Sequence, residues 1–210
     1  MSWKSRHYIL LTRKISKRDL FVKQRTEITN NLKAGFIQEG FKPPYKRFTS
    51  KRAIQWLMKQ ENTDMNYAGE MLNTLNNVIE KIEKEIEELT PSKAKNLTQI
   101  KGISTLRASQ IYARTKGKIM TKAQFSSYCG VAPVKNESGP QNRHRNNKRG
   151  DRKLNSILYS ISVYQSKYDP VGSDYYLKKI GEGKTKHHAR KCLSRQICNQ
   201  IYKILFKDWM

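Results

Sequence analysis

The sequence predicts an all-α protein: a long helical hairpin or coiled coil, followed by a compact helical domain with a helix-hairpin-helix-like turn. Three observations predict it. Leu72, Leu75, Ile79, Ile82, Ile86 and Leu89 recur at alternating steps of three and four residues, the a/d pattern of a coiled coil. Leu20, Gln24, Ile28 and Leu32 follow one another at four-residue steps, with Phe21 and Phe36 beside them. Two later stretches each draw one helix face: Leu154, Ile157, Leu158, Ile161 and Gln165, then Ala189, Leu193, Ile197, Ile201, Ile204 and Leu205.

Taken in order, Ser16-Lys17-Arg18-Asp19 has the form of a cap and first turn, and predicts a helix over 17–38. Gly40 and the Pro43-Pro44 pair end it. Ser50 is the expected cap of a short helix containing Ile54, Trp56 and Leu57. The a/d stripe predicts a helix over 66–89, stopped by Pro91. The stripe suits one long amphipathic helix packed on its own domain, an antiparallel return along 17–38, or pairing with a second copy, and a homo-oligomer through the coiled coil is expected. Downstream, Leu97 to Ser104 precede a helix from Thr105 to Thr115. The order apolar, Gly, apolar, Ser/Thr matches a helix-hairpin-helix turn, in which Gly102 supplies a positive φ. Lys101, Gly102, Ile103 and Ser104 would then present the amides of the next helix to a phosphate. A purely structural αα turn uses the same residues. A short helix over 121–128 closes at Gly130 and Pro133. The stretch 135–150 is polar, rich in Gly and Asn, and holds five Lys/Arg; it is expected to be an exposed irregular loop. Two parts result: a helical linker and coiled coil over 1–92, and a helical domain over 93–210.

Charge is the informative feature of the composition. The 210 residues carry 42 Lys and Arg against 17 Asp and Glu, a net +25. Residues 1–59 have a net +12, residues 60–90 a net −6 and residues 91–210 a net +19. Two basic segments thus flank one acidic segment, and the balance points to a polyanion, most often nucleic acid. No apolar run approaches the ~18 residues of a membrane span. The first eleven residues have too short an apolar stretch and no small-residue cleavage site, so no secretory signal is expected. Three cysteines, at 129, 192 and 198, suit a reducing cytosol and no disulfide framework. The expected location is cytoplasmic, in association with the nucleoid.

Metal chemistry finds little support in the residues. His187 and His188 are adjacent and diverge by ~100° on a helix, and Cys192 and Cys198 have no ligand spacing. Asp151, Asp169 and Asp174 are scattered, and Asp151 suits the first turn of a helix. Ser138 is the candidate nucleophile. It precedes Gly139-Pro140, with Lys135 before it and Arg143, Arg145, Lys148, Arg149 and Arg152 after it. Attack on a phosphodiester needs an exposed hydroxyl, backbone freedom and cations around the oxyanion. Ser-Gly in a loop is also commonplace.

The order of motifs resembles a known family. Ile100-Lys101-Gly102-Ile103, then Tyr128-Cys129-Gly130-Val131-Ala132-Pro133, then Ser138-Gly139, then Asn147-Lys148-Arg149-Gly150-Asp151-Arg152-Lys153-Leu154 look like the C-terminal domain of insertion-sequence transposases of the IS110/IS116/IS902 group. The resemblance covers 95–205 well and the preceding hairpin more loosely. Lys101 stands where the group has Pro, Asp151 where it has Asn, and Cys129 and Val131 depart from its usual surroundings.

The resemblance implies that Ser138 forms a 5′-phosphoserine link to DNA, and that a structured guide RNA pairs target and donor. It further implies an N-terminal RuvC-like domain whose four carboxylates bind Mg²⁺ beside the serine. Residues 1–15 contain no Asp or Glu. The expectation is therefore a truncated transposase fragment that lacks that domain, needs no Mg²⁺ of its own, binds DNA, and is inactive alone in strand cleavage and recombination. Two other readings stand beside it: a non-catalytic DNA- or RNA-binding module that dimerises through its coiled coil, and a helical partner protein whose charge serves only RNA.

Overall fold

In a computed structural model, residues 3–116, 118, 120–136, 143–146 and 150–206 are described. The chain divides into two compact units, Met1–Leu89 and Thr90–Met210. The all-α class holds. No helix of the described residues is long and apolar enough to cross a membrane.

The first unit is an antiparallel helical hairpin. Helix α1 runs from Trp3 to Gln38, α2 from Lys51 to Leu57 and α3 from Thr63 to Glu88. Ser50 caps α2 as expected, accepting from the Ala53 amide at 3.4 Å. The Asn62 side chain caps α3 through the Met65 amide. Three cross-links fix the antiparallel register: His7 with the Leu89 carbonyl at 3.0 Å, Arg18 Nε to Glu83 at 2.8 Å, and Arg25 to Asn76 at 2.9 Å. Lys14 adds an ion pair with Glu85.

Helix α1 starts far ahead of the expected 17–38, and Ser16 lies inside it rather than capping it. Its inward line is also a different one. Leu20 is 52% exposed, and the stripe turned inward is Leu11, Ile15, Arg18, Val22, Arg25, Thr29, Leu32 and Phe36, at alternating steps of four and three. Leu11 and Ile15 are buried, as are Ile79, Ile82 and Ile86 of α3, so apolar contact carries the hairpin back past residue 16. Mid-seam, two arginines take apolar positions and are matched by Glu83 and Asn76. Internal threonines satisfy themselves within the helix, Thr12 donating to the Tyr8 carbonyl and Thr29 to that of Arg25. At the connected end of the hairpin, Phe36, Phe48, Ile54, Leu57 and Leu72 form the core, with Trp56 and Tyr45 packed against it. The α3 seam is thus occupied by α1 of the same chain.

The second unit packs helices around one core. A short helix α4 (Ser92–Lys95) continues as a 3₁₀ turn over Asn96–Gln99, and α5 spans Thr105–Thr115. Helix α6 covers Lys122–Tyr128, opened by a reciprocal Thr121–Gln124 capping box. Helices α7 (Arg152–Tyr168), α8 (Pro170–Gly181) and α9 (Lys186–Phe206) follow. Leu97, Ile111, Phe125, Leu158, Ile161 and Ile197 are among the side chains that fill the core. The sequence reading named no helix at α8. Only Gly172 of that helix is buried, so it has no apolar period to detect. Asp169 caps it through the Gly172 amide at 3.0 Å, and Pro170 opens it. A Cβ on Gly172 would stand 2.7 Å from the Gln165 Cβ, which keeps α8 close to α7.

The stretch expected to be an irregular loop contains a ribbon. Strand β1 (Pro133–Asn136) pairs antiparallel with β2 (Arg143–Asn146), placing Val134 opposite Arg145 and Asn136 opposite Arg143. The backbone polar groups of this apolar-poor segment are satisfied by each other instead of by a core. Ser138, Gly139, Lys148 and Arg149 lie outside the described residues.

Ile79→Lys and Ile82→Lys each put a charge into the seam between α1 and α3. Each should destabilise the first unit by about 2–5 kcal/mol and lower its thermal transition by several degrees. Parent-like melting of both variants, followed by circular dichroism, would refute this packing.

Candidate nucleic-acid interface

Two candidate contact elements flank helix α7, one toward each end. The first is the turn between the 3₁₀ segment and α5. Gly102 has φ 89°, the left-handed conformation expected of it. Ile100 and Ile103 are buried on either side, and the Ile103 amide bonds the Ile100 carbonyl at 3.1 Å. Ser104 caps α5 by accepting from the Arg107 amide. The carbonyls of the turn face protein partners: Gln165 donates to Lys101 O at 2.8 Å, and Arg107 to Gly102 O at 2.6 Å. Tyr164 lies so close that a Cβ on Gly102 would be 2.9 Å from its ring. The turn is therefore held rigidly against α7, with Lys101 65% exposed and reaching Asp169 at 3.3 Å.

The second element is the base of the ribbon. Gly130, at φ 69°, and Gly150 cross with their backbones in contact; a Cβ on Gly150 would stand 2.6 Å from the Gly130 nitrogen. Across this crossing the Asp151 amide donates to Tyr128 O at 2.7 Å. Asn155 Nδ2 donates to the carbonyls of Gly130 and Cys129 at 2.8 and 3.2 Å. Asp151 does more than occupy a first turn. It caps α7 through the Leu154 amide at 2.9 Å and pairs with Arg114 at 2.9 Å. Tyr128 Oη donates to Arg114 O at 3.2 Å and lies within 3.4 Å of the Asp151 carboxylate. Lys118 donates to Tyr128 Oη at 2.6 Å. Burial alone would raise the Asp151 carboxyl, but the Leu154 amide and the Arg114 guanidinium outweigh it and hold the group below the ordinary carboxylate range.

The expected site residues thus fall into two groups. Lys101, Gly102, Ile103 and Ser104 come together at the turn. Lys135, Arg143 and Arg145 belong to the ribbon, and exposed Arg152 opens α7 at its base. About ten residues of α7 separate the two groups, ~15 Å along its axis. The sequence reading missed Arg114, Tyr128, Asn155 and the Gly130–Gly150 contact. Two glycines twenty residues apart give no sign in sequence that they touch.

Among the described residues no three His, Cys, Asp or Glu side chains gather, and both Asp151 and Asp169 are committed to caps and cations.

Gly150→Ala should cost about 1–3 kcal/mol through the forced backbone shift and speed hydrogen exchange at the Asp151 amide; unchanged protection there would refute the crossing. Asp151→Ala should cost ~1 kcal/mol through removal of the cap, and Asp151→Asn less. Because the folded carboxyl titrates low, its contribution is present above the ordinary carboxylate range and fades as pH falls through the lowered value. Thermal unfolding at descending pH should show a shallower acid limb for Asp151→Asn, and an identical limb would count against the Arg114 pairing.

No curated protein matches the sequence. Residues 94–177 match the family model described as transposase IS116/IS110/IS902 family. The matched segment takes in the Gly102 turn, the ribbon with its glycine crossing, all of α7 and most of α8, and over these residues the chain is similar to that transposase family.

Proposed function

We propose that the chain serves DNA-mediated transposition as a DNA-binding element carrying the serine of a composite active site. The observation that supports this reading best is the pair of basic elements flanking α7, inside the segment that matches the family model and within a stretch of net +19. The Gly102 turn offers the capped N-terminus of α5 to a backbone phosphate, next to exposed Lys101. The ribbon carries Lys135, Arg143 and Arg145, and its strands are joined by the six residues 137–142, which include Ser138 and Gly139. In this reading Ser138 Oγ bonds to phosphorus as the bond to the 3′ oxygen breaks, leaving a 5′-phosphoserine. The serine gives up its proton and the departing 3′ oxygen gains one. Arginines on the ribbon stabilise the charge that builds on the phosphoryl oxygens, and Lys148, Arg149 and Arg152 extend the cationic surface. The four carboxylates and Mg²⁺ implied by the resemblance belong, in this reading, to a RuvC-like domain outside these 210 residues. A structured guide RNA and self-association through the helical hairpin are parts of the same reading.

The reading is tested in two steps. Neutralising Arg143, Arg145, Lys148 and Arg149 together should weaken duplex binding across sequences and flatten its salt dependence. The slope should fall by about 0.9 for each phosphate that is no longer neutralised. Unchanged affinity and slope reject the ribbon as a DNA-binding element. The chain alone, with Mg²⁺ present, should bind DNA without cutting it. When a RuvC-like domain and guide RNA are supplied in trans, a covalent DNA adduct should form, and Ser138→Ala should abolish it while binding persists. Turnover by the chain alone, or an adduct that survives Ser138→Ala, overturns the assignment. Binding that never yields an adduct favours a non-catalytic nucleic-acid module.

A further inference from the structure

Four large apolar or aromatic side chains of the second unit's described residues are exposed, and all fall between 164 and 177: Tyr164 at 43%, Tyr168 at 68%, Val171 at 77% and Leu177 at 58%. The two tyrosines are one helical turn apart on α7, with ring centroids 5.2 Å apart and planes inclined by 45°. Tyr164 is held in place from beneath, because its ring rests on the bare Cα of Gly102. The patch therefore adjoins the Gly102 turn itself. Cations border it: Lys101 from the turn, exposed Lys167 between the tyrosines, and exposed Lys178 beyond. Asp169, which caps α8 and pairs with Lys101, and exposed Asp174 are the nearby acids. An open cleft of about 810 Å³ is lined by Lys101, Asp169 and Val171 together with Gln196, Gln200 and Lys203.

From this geometry we propose that Tyr164 and Tyr168 form a stacking platform for unpaired nucleobases, beside the turn that holds the phosphate backbone. The inference rests on the nucleic-acid reading above and deepens it by naming the state of the strand that binds. In a duplex the base faces are stacked on one another and shielded; an unpaired base offers a π-face that either tyrosine ring can cover. The neighbouring lysines meet its phosphates, and the glutamine-lined cleft gives amide donors and acceptors to the edge of a following base. Charge selects this occupant over a second copy of the chain. A partner carrying the same net +25 is repelled from a surface set in a stretch of net +19, whereas a polyanion is drawn to it. Unpaired DNA and the loop of a folded RNA share this chemistry.

The test uses the full chain and fluorescence anisotropy at fixed salt with three probes of equal length: single-stranded DNA, a blunt DNA duplex, and an RNA hairpin with an unpaired loop. Tyr168→Ala, at the more exposed position, and the Tyr164→Ala/Tyr168→Ala pair should weaken binding of an unpaired probe at least about fivefold, the low end for removal of one stacked base. Duplex affinity should stay within about twofold. Tyr164→Phe/Tyr168→Phe should bind like the parent, since the ring and not the hydroxyl is required. With 2-aminopurine in the unpaired probes, the parent and the Phe pair should quench its fluorescence, and the Ala pair should not. Selective weakening for the DNA strand alone or the RNA loop alone identifies the source. Equal weakening on all three probes, no change on any, or failure of the Phe pair to restore binding overturns the platform. If the parent binds duplex and the ribbon variant does not, yet the tyrosine variants are silent, only the platform falls. If the parent binds no probe, both readings fall.

Discussion

The contact of Gly130 with Gly150 is the constraint on which the second unit's candidate surface depends. Two backbones meet there with no room for a Cβ, and the Asp151 amide reaches Tyr128 O across the junction. Residues twenty apart in sequence, on either side of the two strands, are thereby brought to one point. A two-stranded ribbon is marginal by itself, so its strands gain from having their ends fixed. The junction also starts α7 in the right place, because the residue that donates across it is the one that caps the helix. One contact thus fixes the start of the helix that supports the Gly102 turn ~15 Å away.

Some of this was legible in the sequence, for physical reasons. The α3 seam could be read because its apolar residues keep a strict period and face one partner. The positive φ of Gly102 and the Ser50 cap could be read because each depends on a few adjacent residues. The partner face on α1 could not. Its inward positions include Arg18 and Arg25, whose charges are answered by Glu83 and Asn76 from a helix more than fifty residues away. A hydrophobic criterion rejects those positions and prefers the line through Leu20, which faces solvent. Helix α8 was hidden for the opposite reason: a glycine supplies its close contact, Tyr175 and Tyr176 are only partly buried against the core, and Val171 and Leu177 stay exposed. The ribbon was hidden because backbone pairing defines it, and its residues show no apolar alternation in sequence.

The same distinction explains the candidate site. The cations and the serine were visible as residue types in a suggestive order. The parts that hold the surface rigid were not, since Arg114, Tyr128 and Asn155 act through contacts at separations of 14 to 37 residues. Asp151 illustrates how position changes meaning: in sequence it is one scattered acid, in the fold it joins α5, α6 and α7. Its carboxylate is consumed by that task, so its value lies in positioning.

The disposition of acids separates the electrostatics of the two units. In the first unit the acidic helix α3 lies along basic α1, and Glu83 and Glu85 are paired with Arg18 and Lys14. Charge there is partly balanced within the fold. The second unit has few acids to spend. Of its four described acids, Asp151 and Asp169 serve as helix caps and ion-pair partners, and Glu182 bridges Lys179 and Lys184. Each local pairing removes one or two cations from the excess and leaves the rest uncompensated. Such an excess repels itself in the folded state, and a bound polyanion relieves that repulsion while releasing its own counterions. The cation excess of the second unit therefore suits a polyanionic partner, and the turn and the ribbon lie within its stretch of net +19, while the tyrosine patch adds apolar surface beside the turn.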